Sequence, residues 1–280
     1  MIELKEQTKL KKTGPNQIGV IVFKYDNNND FLGLTCNEWL NVATMDFNRT
    51  FIDASKSKNL EDQILLNLPN EPVTVVLHAF NPLITKQDIL FYVDYLTYKN
   101  LELIKLPFGY VFKTDYIKQT KSFREPIMFG GIANEFLKVD TKQGWDLAYA
   151  IKKQEIINKH IKNGVNFVDV NSTIIHYFVE IEPDVTIYPF NMLYGKTKIE
   201  RGAVIKEGNT IDNSWLQAEC VVAKSVVNNS KIGAGTIVLP FNTINNSQID
   251  KNCLIKSYNQ IEKAVIAENT TVDSFNNLGN

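Results

Sequence analysis

The sequence predicts two fold classes in one chain, an α/β part followed by an all-β part that coils as a parallel β-helix. In the first half, short apolar runs alternate with segments of helical periodicity. In the second half, an aliphatic residue returns at every sixth position: Ile175, Ile181, Ile187, Leu193, Ile199, Ile205 and Ile211. Since neither a helix nor a plain strand has a period of six, each hexapeptide is predicted to form one short strand and one corner of a β-helix.

The first half is predicted to contain a polar arm at residues 1–17 and a small α/β domain at 18–141. The predicted strands are 18–25, 73–77, 101–106 and 109–113, and the predicted helices are 59–68 and 86–99, the second capped by Thr85. Alternation of this kind favours a partly parallel sheet. A linker helix, 142–163, follows, and Gly164 is suited to its C-terminal cap.

The β-helix is predicted for residues 164–280, with coils that begin at 181, 199, 216, 232, 249 and 266. These starts are 16 to 18 residues apart, which gives three sides per coil. Asn-Ser pairs at 213–214, 229–230 and 246–247 suit tight corners. Cys220 and Cys253 fall at a small inward position, where core packing is expected. Phe275 and Leu278 are predicted to plug the end of the coil.

Composition excludes several classes of protein. The formal net charge is −1, so no broad surface for nucleic acid or membranes is expected. No apolar run approaches the length of a membrane span, and residues 1–17 lack the apolar region of a secretory signal. Three scattered cysteines without metal-binding spacing fit a reducing cytoplasm.

Several segments together resemble one family. They are 157–169, Ser172-Thr173, 226–233 and Pro240-Phe241 in the second half, and 81–85, 107–110 and 129–131 in the first half. In this order they are similar to the bacterial bifunctional N-acetylglucosamine-1-phosphate uridyltransferase/glucosamine-1-phosphate acetyltransferase, the GlmU-like proteins. The resemblance covers roughly residues 73 to 270. It implies a reduced nucleotidyltransferase-like α/β domain and a left-handed β-helix that forms homotrimers.

The resemblance also implies site residues in the first domain. Gly109, Tyr110, Gly130 and Gly131 align with motifs that line the family's sugar pocket, although glycines at turns are often required by backbone geometry alone. Asp140 aligns with a second metal-binding position that is an asparagine in the family. The metal-binding aspartate itself is replaced by Phe80, and a phenyl ring cannot ligate Mg²⁺.

Other family motifs are absent. After the first strand, Lys24-Tyr25-Asp26 stands where the family has a glycine-rich loop that cradles phosphates. In the acetyltransferase half, Asn245 and Glu262 replace basic residues that hold the sugar phosphate, and the catalytic histidine would fall beyond residue 280. The chain has three histidines, His78, His160 and His176. His160 is expected to make a helix-surface contact, and His78, at the end of a buried strand, is expected to pack, with a polar role as the alternative.

These departures predict a protein that has lost both catalytic sites and acts as a trimeric scaffold or as a regulatory partner of another protein, with no cofactor. The alternative is an active sugar-1-phosphate nucleotidyltransferase that makes UDP-N-acetylglucosamine from UTP and N-acetylglucosamine-1-phosphate with Mg²⁺. A third interpretation is a module that binds a sugar nucleotide without turning it over.

Overall fold

The structure, a computed structural model, describes residues 13–26, 30–56, 59–129 and 137–279. The chain divides into two compact units. The first comprises Met1–Asp30 and Leu34–Ala148, and the second comprises Phe31–Gly33 and Tyr149–Asn280. The predicted fold class, an α/β part followed by a parallel β-helix of hexapeptide repeats, is confirmed.

The first part of the chain alternates strands and helices. In order, the elements are β1 (Ile18–Lys24), β2 (Asp30–Phe31), β3 (Leu34–Thr35), α1 (Cys36–Thr44), β4 (Asn48–Asp53), α2 (Leu60–Leu66), β5 (Val73–His78), α3 (Lys86–Tyr98), β6 (Leu103–Leu106), β7 (Gly109–Lys113), α4 (Thr114–Thr120) and β8 (Ile127–Met128). Thr85 caps α3 through a capping box with Asp88, as its position predicts.

These strands form a mixed sheet in the order β4-β1-β5-β7-β6-β8. The pairs β4-β1, β1-β5 and β6-β8 are parallel, whereas β7 runs antiparallel to both of its neighbours. Side chains alternate between two apolar clusters, so that Val20 packs on the side of α1 and α3 and Ile21 on the side of α2 and α4. The first unit is therefore a three-layer α/β sandwich.

A long helix, α5, spans Lys142–Lys162, in agreement with the predicted linker helix. Thr141 Oγ1 accepts a hydrogen bond from the Gly144 amide at 3.1 Å at its start. At its end the amides of Gly164 and Val165 donate to the carbonyls of Ile161 and His160 at 3.0 and 3.1 Å, with Gly164 at φ +85°. This is a Schellman cap, which needs a residue that tolerates positive φ. Among the described residues, no helix combines the length and apolarity needed to cross a membrane.

The β-helix has three faces, each a stack of very short parallel strands. Face one contains β9 (Asn166–Phe167), β12 (Thr186–Ile187), β15 (Val204–Ile205), β18 (Val221–Val222), β21 (Ile237–Val238), β24 (Leu254–Ile255) and β27 (Thr271–Val272). Face two contains β10 (Ile174–Ile175), β13 (Met192–Tyr194), β16 (Thr210–Asp212), β19 (Val226–Asn228), β22 (Thr243–Asn245), β25 (Gln260–Glu262) and β28 (Asn277–Leu278). Face three contains β11 (Glu180–Ile181), β14 (Lys198–Ile199), β17 (Trp215–Leu216), β20 (Lys231–Ile232), β23 (Gln248–Ile249) and β26 (Val265–Ile266).

The six-residue pattern sets this architecture. The coil starts predicted at 181, 199, 216, 232, 249 and 266 all lie on face three, and all are buried. The Asn-Ser corners are also confirmed, because Asn213, Asn229 and Asn246 have φ of +45°, +46° and +48°. Cys220 and Cys253 are buried at the inward position, as core packing predicts.

Polar side chains form continuous columns inside the β-helix. In one column, the Asn209 amide donates to Asn191 Oδ1 at 3.0 Å, and the Ser225 amide donates to Asn209 Oδ1 at 2.9 Å. In a second column, the Ser230 amide donates to Ser214 Oγ at 3.1 Å. Each buried side chain therefore satisfies a backbone group of the next coil, which a buried polar group requires.

The predicted plug is not formed. Phe275 is 78% exposed at a corner, where its ring lies flat on Tyr258 at 5.0 Å. Tyr258 in turn stacks on Phe241 at 5.0 Å, so the three rings form an outward column along one edge. Leu278 instead continues the strand stack by pairing with Ile261. The expectation failed because Phe275 occupies an outward corner position rather than an inward one.

Candidate functional site

The candidate site of the first unit lies at the carboxyl ends of β1 and β5. From β1 the chain passes through α1 to β4 on one side, whereas β5 lies on the other side of β1. In open α/β sheets, ligands bind in the crevice created where the strand order reverses in this way. Tyr25 directly follows β1, and His78 and Phe80 end or follow β5, so these side chains lie at this position.

Aromatic rings occupy the ends of these strands. The Tyr25 hydroxyl and His78 Nδ1 are joined by a hydrogen bond of 2.6 Å. Phe80 stacks on His78 at 5.1 Å and contacts Tyr25 at 5.0 Å, and Phe108 meets Phe80 edge-on at 5.2 Å. Their side chains are half-buried. We name these four residues, Tyr25, His78, Phe80 and Phe108, the crevice cluster.

The crevice cluster is uncharged at neutral pH. Burial, and then the nearby Lys105 ammonium, lower the pKa of His78 to about 4. Burial also raises the pKa of the Tyr25 hydroxyl. Because His78 is a neutral imidazole and Tyr25 a neutral phenol, the cluster supplies neither a fixed positive charge for phosphate nor a carboxylate for a cation.

Asp140, the predicted metal position, lies beside the ammonium group of Lys138. Asp140 forms an ion pair with Lys138, and the hydrogen bond and charge of Lys138 hold the pKa of Asp140 below its usual range. The Lys138 ammonium also lies 5.3 Å from the centre of the Phe80 ring. Within the described parts of the chain, no group of three or more His, Cys, Asp or Glu side chains is placed to hold a metal ion. Mg²⁺ is usually held by several oxygen ligands, and Asp140 is the one described carboxylate that the resemblance assigns to it.

Gly109 and Tyr110 lie together at the start of β7, but their surroundings give each a structural role. Gly109 has φ +129°, and a Cβ atom there would lie 2.1 Å from the Val76 carbonyl oxygen. Tyr110 donates a hydrogen bond to Glu61 Oε1 at 2.8 Å. The Lys105 ammonium lies 3.6 Å above the Tyr110 ring. The other two predicted pocket residues, Gly130 and Gly131, lie outside the described residues.

Sequence reasoning did not identify Lys105 and Lys138 as neighbours of the predicted site. Lys138 is two residues from Asp140, so its proximity could have been noticed, whereas Lys105 reaches Tyr110 only because β6 and β7 pair across a hairpin. Burial lowers the pKa of Lys105, and the negative charge of Glu61 offsets only part of this effect.

The expectation that His160 makes a helix-surface contact is wrong. His160 is only 2% exposed, and its buried Nδ1 has no hydrogen-bond partner within the part of the chain that the structure describes. Burial, and then the charge of Lys159, lower its pKa to about 4. His160 lies on the inner side of α5 in the last turn, where helix periodicity turns it away from solvent. The His176 ring packs against the Tyr194 ring, with 4.4 Å between the ring centres.

On face two, Asn245 and Glu262 are cross-strand partners. Asn245 Oδ1 accepts from Asn228 Nδ2 at 3.0 Å, and Glu262 Oε1 accepts from Asn246 Nδ2 at 3.3 Å. The amide and the carboxylate provide no positive charge at the two positions where the resemblance implies a phosphate contact.

Comparison with known proteins confirms the resemblance over about half of the chain. No protein-family model matches. The protein named bifunctional protein GlmU from Clostridium botulinum (strain Langeland) is 34% identical over 136 residues, which are 48% of this chain and 29% of the relative. The protein of that name from Clostridium acetobutylicum is 40% identical over 91 residues, 32% of this chain and 20% of the relative. The chain therefore spans less than a third of the length of these curated relatives.

Solved structures were also compared. The acetyltransferase domain of PglB from Neisseria gonorrhoeae is 10% identical, with 92% of this chain and 96% of that chain covered and a TM-score of 0.24. A point mutant of GDP-perosamine N-acetyl transferase from Caulobacter crescentus is 14% identical, with 93% of each chain covered and a TM-score of 0.25.

Proposed function

We propose that this chain is a non-catalytic GlmU-like protein, a cytoplasmic homotrimeric scaffold or regulatory partner of another protein. The observation that carries the proposal is the crevice cluster. Nucleotidyl transfer depends almost entirely on positioning and charge neutralisation at the phosphates. Here neutral aromatic rings stand at the carboxyl ends of β1 and β5, and the nearby carboxylate of Asp140 is paired with Lys138. The proposal assigns no cofactor to the chain.

An apolar stripe on face one supports the homotrimer. Val204, Val221, Ile237 and Leu254 are consecutive cross-strand partners, and their inward neighbours along the strands are fully buried. Because side chains alternate along a strand, these four point outward. Ile237 is 40% exposed, and Leu239 beside it is 37% exposed. Val204, Val221 and Leu254 are half-buried, so the stripe is partly exposed. A contiguous apolar stripe of this kind is typical of a protein interface, and a cyclic trimer would bury one copy on each subunit.

A direct assay distinguishes this proposal from the enzyme alternative. The purified chain is incubated with UTP, N-acetylglucosamine-1-phosphate and Mg²⁺, and pyrophosphate is measured, with an active uridyltransferase as the positive control. We expect no release above the enzyme-free rate. Enzyme-dependent release would refute the proposal in favour of an active nucleotidyltransferase with Mg²⁺ as its cofactor. A ligand-dependent rise in Tm without release would instead favour the sugar-nucleotide-binding interpretation.

The homotrimer is tested by light scattering. We expect a mass three times that of the chain. Ile237→Lys with Leu254→Lys, which places two charges on the face-one stripe, should reduce the mass to that of a monomer because burying unpaired charges is costly. Val226→Lys on face two, where Val226 is 37% exposed, is the matched control and should leave the mass unchanged. A monomeric parent chain would refute this part of the proposal.

A further inference from the structure

A polar groove runs along the corner between faces two and three. It has a volume of about 430 Å³, and its lining includes Lys196, Asn213, Asn229, Lys231, Asn246 and Lys263. Trp215 and Gln248 also line it, and the lining contains no acidic residue. We name it the corner groove. It belongs to the second unit and is separate from the crevice cluster.

The lysines of the corner groove have no ion-pair partner among the described residues, unlike a neighbouring lysine on the same face. On the same face, Lys198 lies 3.9 Å from Glu182 and 3.7 Å from Glu200. Within the described parts of the chain, no ion pair involves Lys196, Lys231 or Lys263. Unpaired ammonium groups gathered along one groove favour an anionic ligand.

The spacing of these lysines is regular. Lys196 precedes β14, Lys231 lies in β20 and Lys263 precedes β26, so that successive lysines are two strands apart in the β14-β17-β20-β23-β26 stack. Since neighbouring strands lie roughly 4.8 Å apart, the backbone positions of these lysines recur about every 10 Å along the stack, with Lys196 and Lys263 at the corner and Lys231 two residues further along, in its strand. This repeat is comparable to the length of one disaccharide unit in a linear glycan.

Between the lysines stands a column of amide side chains, Asn213, Asn229 and Asn246. Asn213 Oδ1 accepts a hydrogen bond from the Lys196 amide at 3.0 Å, so its side-chain nitrogen is the group available to donate to a ligand. Asn246 Nδ2 donates a hydrogen bond to Glu262 Oε1 at 3.3 Å, so the side-chain oxygen of Asn246 is the group available to accept from a ligand. A donor and an acceptor in one column match hydroxyl groups, which both donate and accept.

Three carboxylates border the groove without lining it, and each accepts a hydrogen bond from a lining residue. Glu200 accepts a hydrogen bond from Trp215 Nε1 at 2.8 Å, and Asp250 accepts one from Gln248 Nε2 at 2.7 Å. Glu262 accepts the hydrogen bond from Asn246 Nδ2. These acidic groups orient the indole and the amides, and none of them forms an ion pair with Lys196, Lys231 or Lys263 within the described parts of the chain.

We propose that the corner groove binds a linear acidic polysaccharide, with its hydroxyl groups on the amide column and its acidic groups on the lysines of alternate coils. An extended acidic peptide fits less well because the strand backbone here is already paired, as in the bonds from Lys231 to Ser247 and from Gln248 to Ala264. Nucleic acid also fits less well, because bases require open aromatic faces and Lys198 and Lys231 lie over the Trp215 ring at 5.6 and 5.1 Å.

The test is calorimetric titration of the full chain with a size-defined oligogalacturonate at low salt. We expect binding that the triple variant K196Q/K231Q/K263Q weakens about tenfold or more, since three exposed charge contacts are lost. The matched control, K206Q/K224Q/K251Q, removes the same charge outside the groove. Its Lys224 occupies a left-handed corner at φ +39°, like Lys263 at φ +49°. The control should change affinity less than twofold.

Several results would overturn this proposal. They are the absence of oligogalacturonate binding, an equal loss in the control variant, or equal affinity for a neutral cello-oligosaccharide. Poly-glutamate binding as tightly as oligogalacturonate would also overturn it and would assign the groove to an acidic protein segment. A ligand-induced change in tryptophan fluorescence that persists in Trp215→Phe would place the ligand elsewhere. Circular dichroism of each variant verifies that the fold is retained.

Discussion

Substitution of Asn209 tests whether the internal polar column stabilises the β-helix. Its side chain is 1% exposed and holds two adjacent coils together. Asn209 Oδ1 accepts from the Ser225 amide at 2.9 Å. Asn209 Nδ2 donates to the Lys206 carbonyl at 2.6 Å and to the Val222 carbonyl at 3.2 Å. Asn209→Ala removes all of these bonds.

The cost depends on which groups lose their only partner. The Lys206 carbonyl keeps a bond from Asn191 Nδ2, and the Val222 carbonyl keeps one from the Lys206 amide. The Ser225 amide is the group left unpaired in the interior, which costs about 1–3 kcal/mol. Loss of the other bonds and of packing brings the expected decrease in the free energy of unfolding to about 2–4 kcal/mol.

Urea denaturation followed by circular dichroism measures this decrease. Asn276→Ala is the control, because Asn276 Nδ2 makes an exposed bond to the Asp273 carbonyl at 2.6 Å and should contribute only about 0.5–1 kcal/mol. Equal effects of the two substitutions, or a loss below about 1 kcal/mol at Asn209, would refute the assignment of a stabilising role to the column.

Three further predictions follow from the first unit and α5. Gly109→Ala should lower the free energy of unfolding by at least about 2 kcal/mol, because the residue has a φ of +129° and its new Cβ would collide with the Val76 carbonyl oxygen. Gly14→Ala is the control; there is open space around Gly14, so the free energy of unfolding should change by less than about 0.5 kcal/mol. Equal denaturation midpoints for the two variants would contradict this prediction. Tyr110→Phe should cost about 0.5–1.5 kcal/mol through loss of the bond to Glu61, and this cost should largely disappear when Glu61→Ala is already present; an undiminished cost in that background would show that the bond does not contribute. Burial holds the pKa of His160 at about 4, below its ordinary 6.5, so its contribution to stability is complete above pH 6.5 and is lost as pH falls from 6.5 towards 4, by up to about 1.4 kcal/mol per pH unit. His160→Gln should flatten the dependence of the urea midpoint on pH between 7 and 5, and an unchanged slope would show that another group titrates.

The β-helix was predictable because its constraint is local and repeated. Each inward aliphatic residue is fixed by its neighbours one coil away, so the six-residue pattern determines both strands and corners. The internal asparagine column was missed, although a signal existed: Asn191, Asn209, Asn242 and Asn259 stand two places before an inward aliphatic residue, where small side chains were already expected to point inward. Asparagine was expected at solvated turns, and Asn213 at a corner does behave in that way.

The first unit was predicted less completely. Helix α1 has only nine residues, yet its Thr35–Glu38 capping box was a usable signal. Strand β4 lies at the sheet edge with mostly half-exposed polar residues, so no apolar run marked it. At the candidate site, the replacement by Phe80 was readable from the sequence. The contacts of Lys138 with Asp140 and of Lys105 with Tyr110 depend on tertiary structure, and no pattern of residues in the sequence predicts them.

The internal column has a consequence for how the β-helix can change in length. From Asn191 onwards, each coil offers the next the same attachment, a side-chain oxygen that accepts a hydrogen bond from one backbone amide, whether that oxygen belongs to Asn209, Ser225 or Asn242. Coils are therefore interchangeable modules. Excision of residues 225–241 would place Asn242 directly above Asn209. Excision of a single residue would be absorbed at a corner, where coils of 16 to 18 residues already differ, but within a strand it would turn the inward side chain of that strand outward.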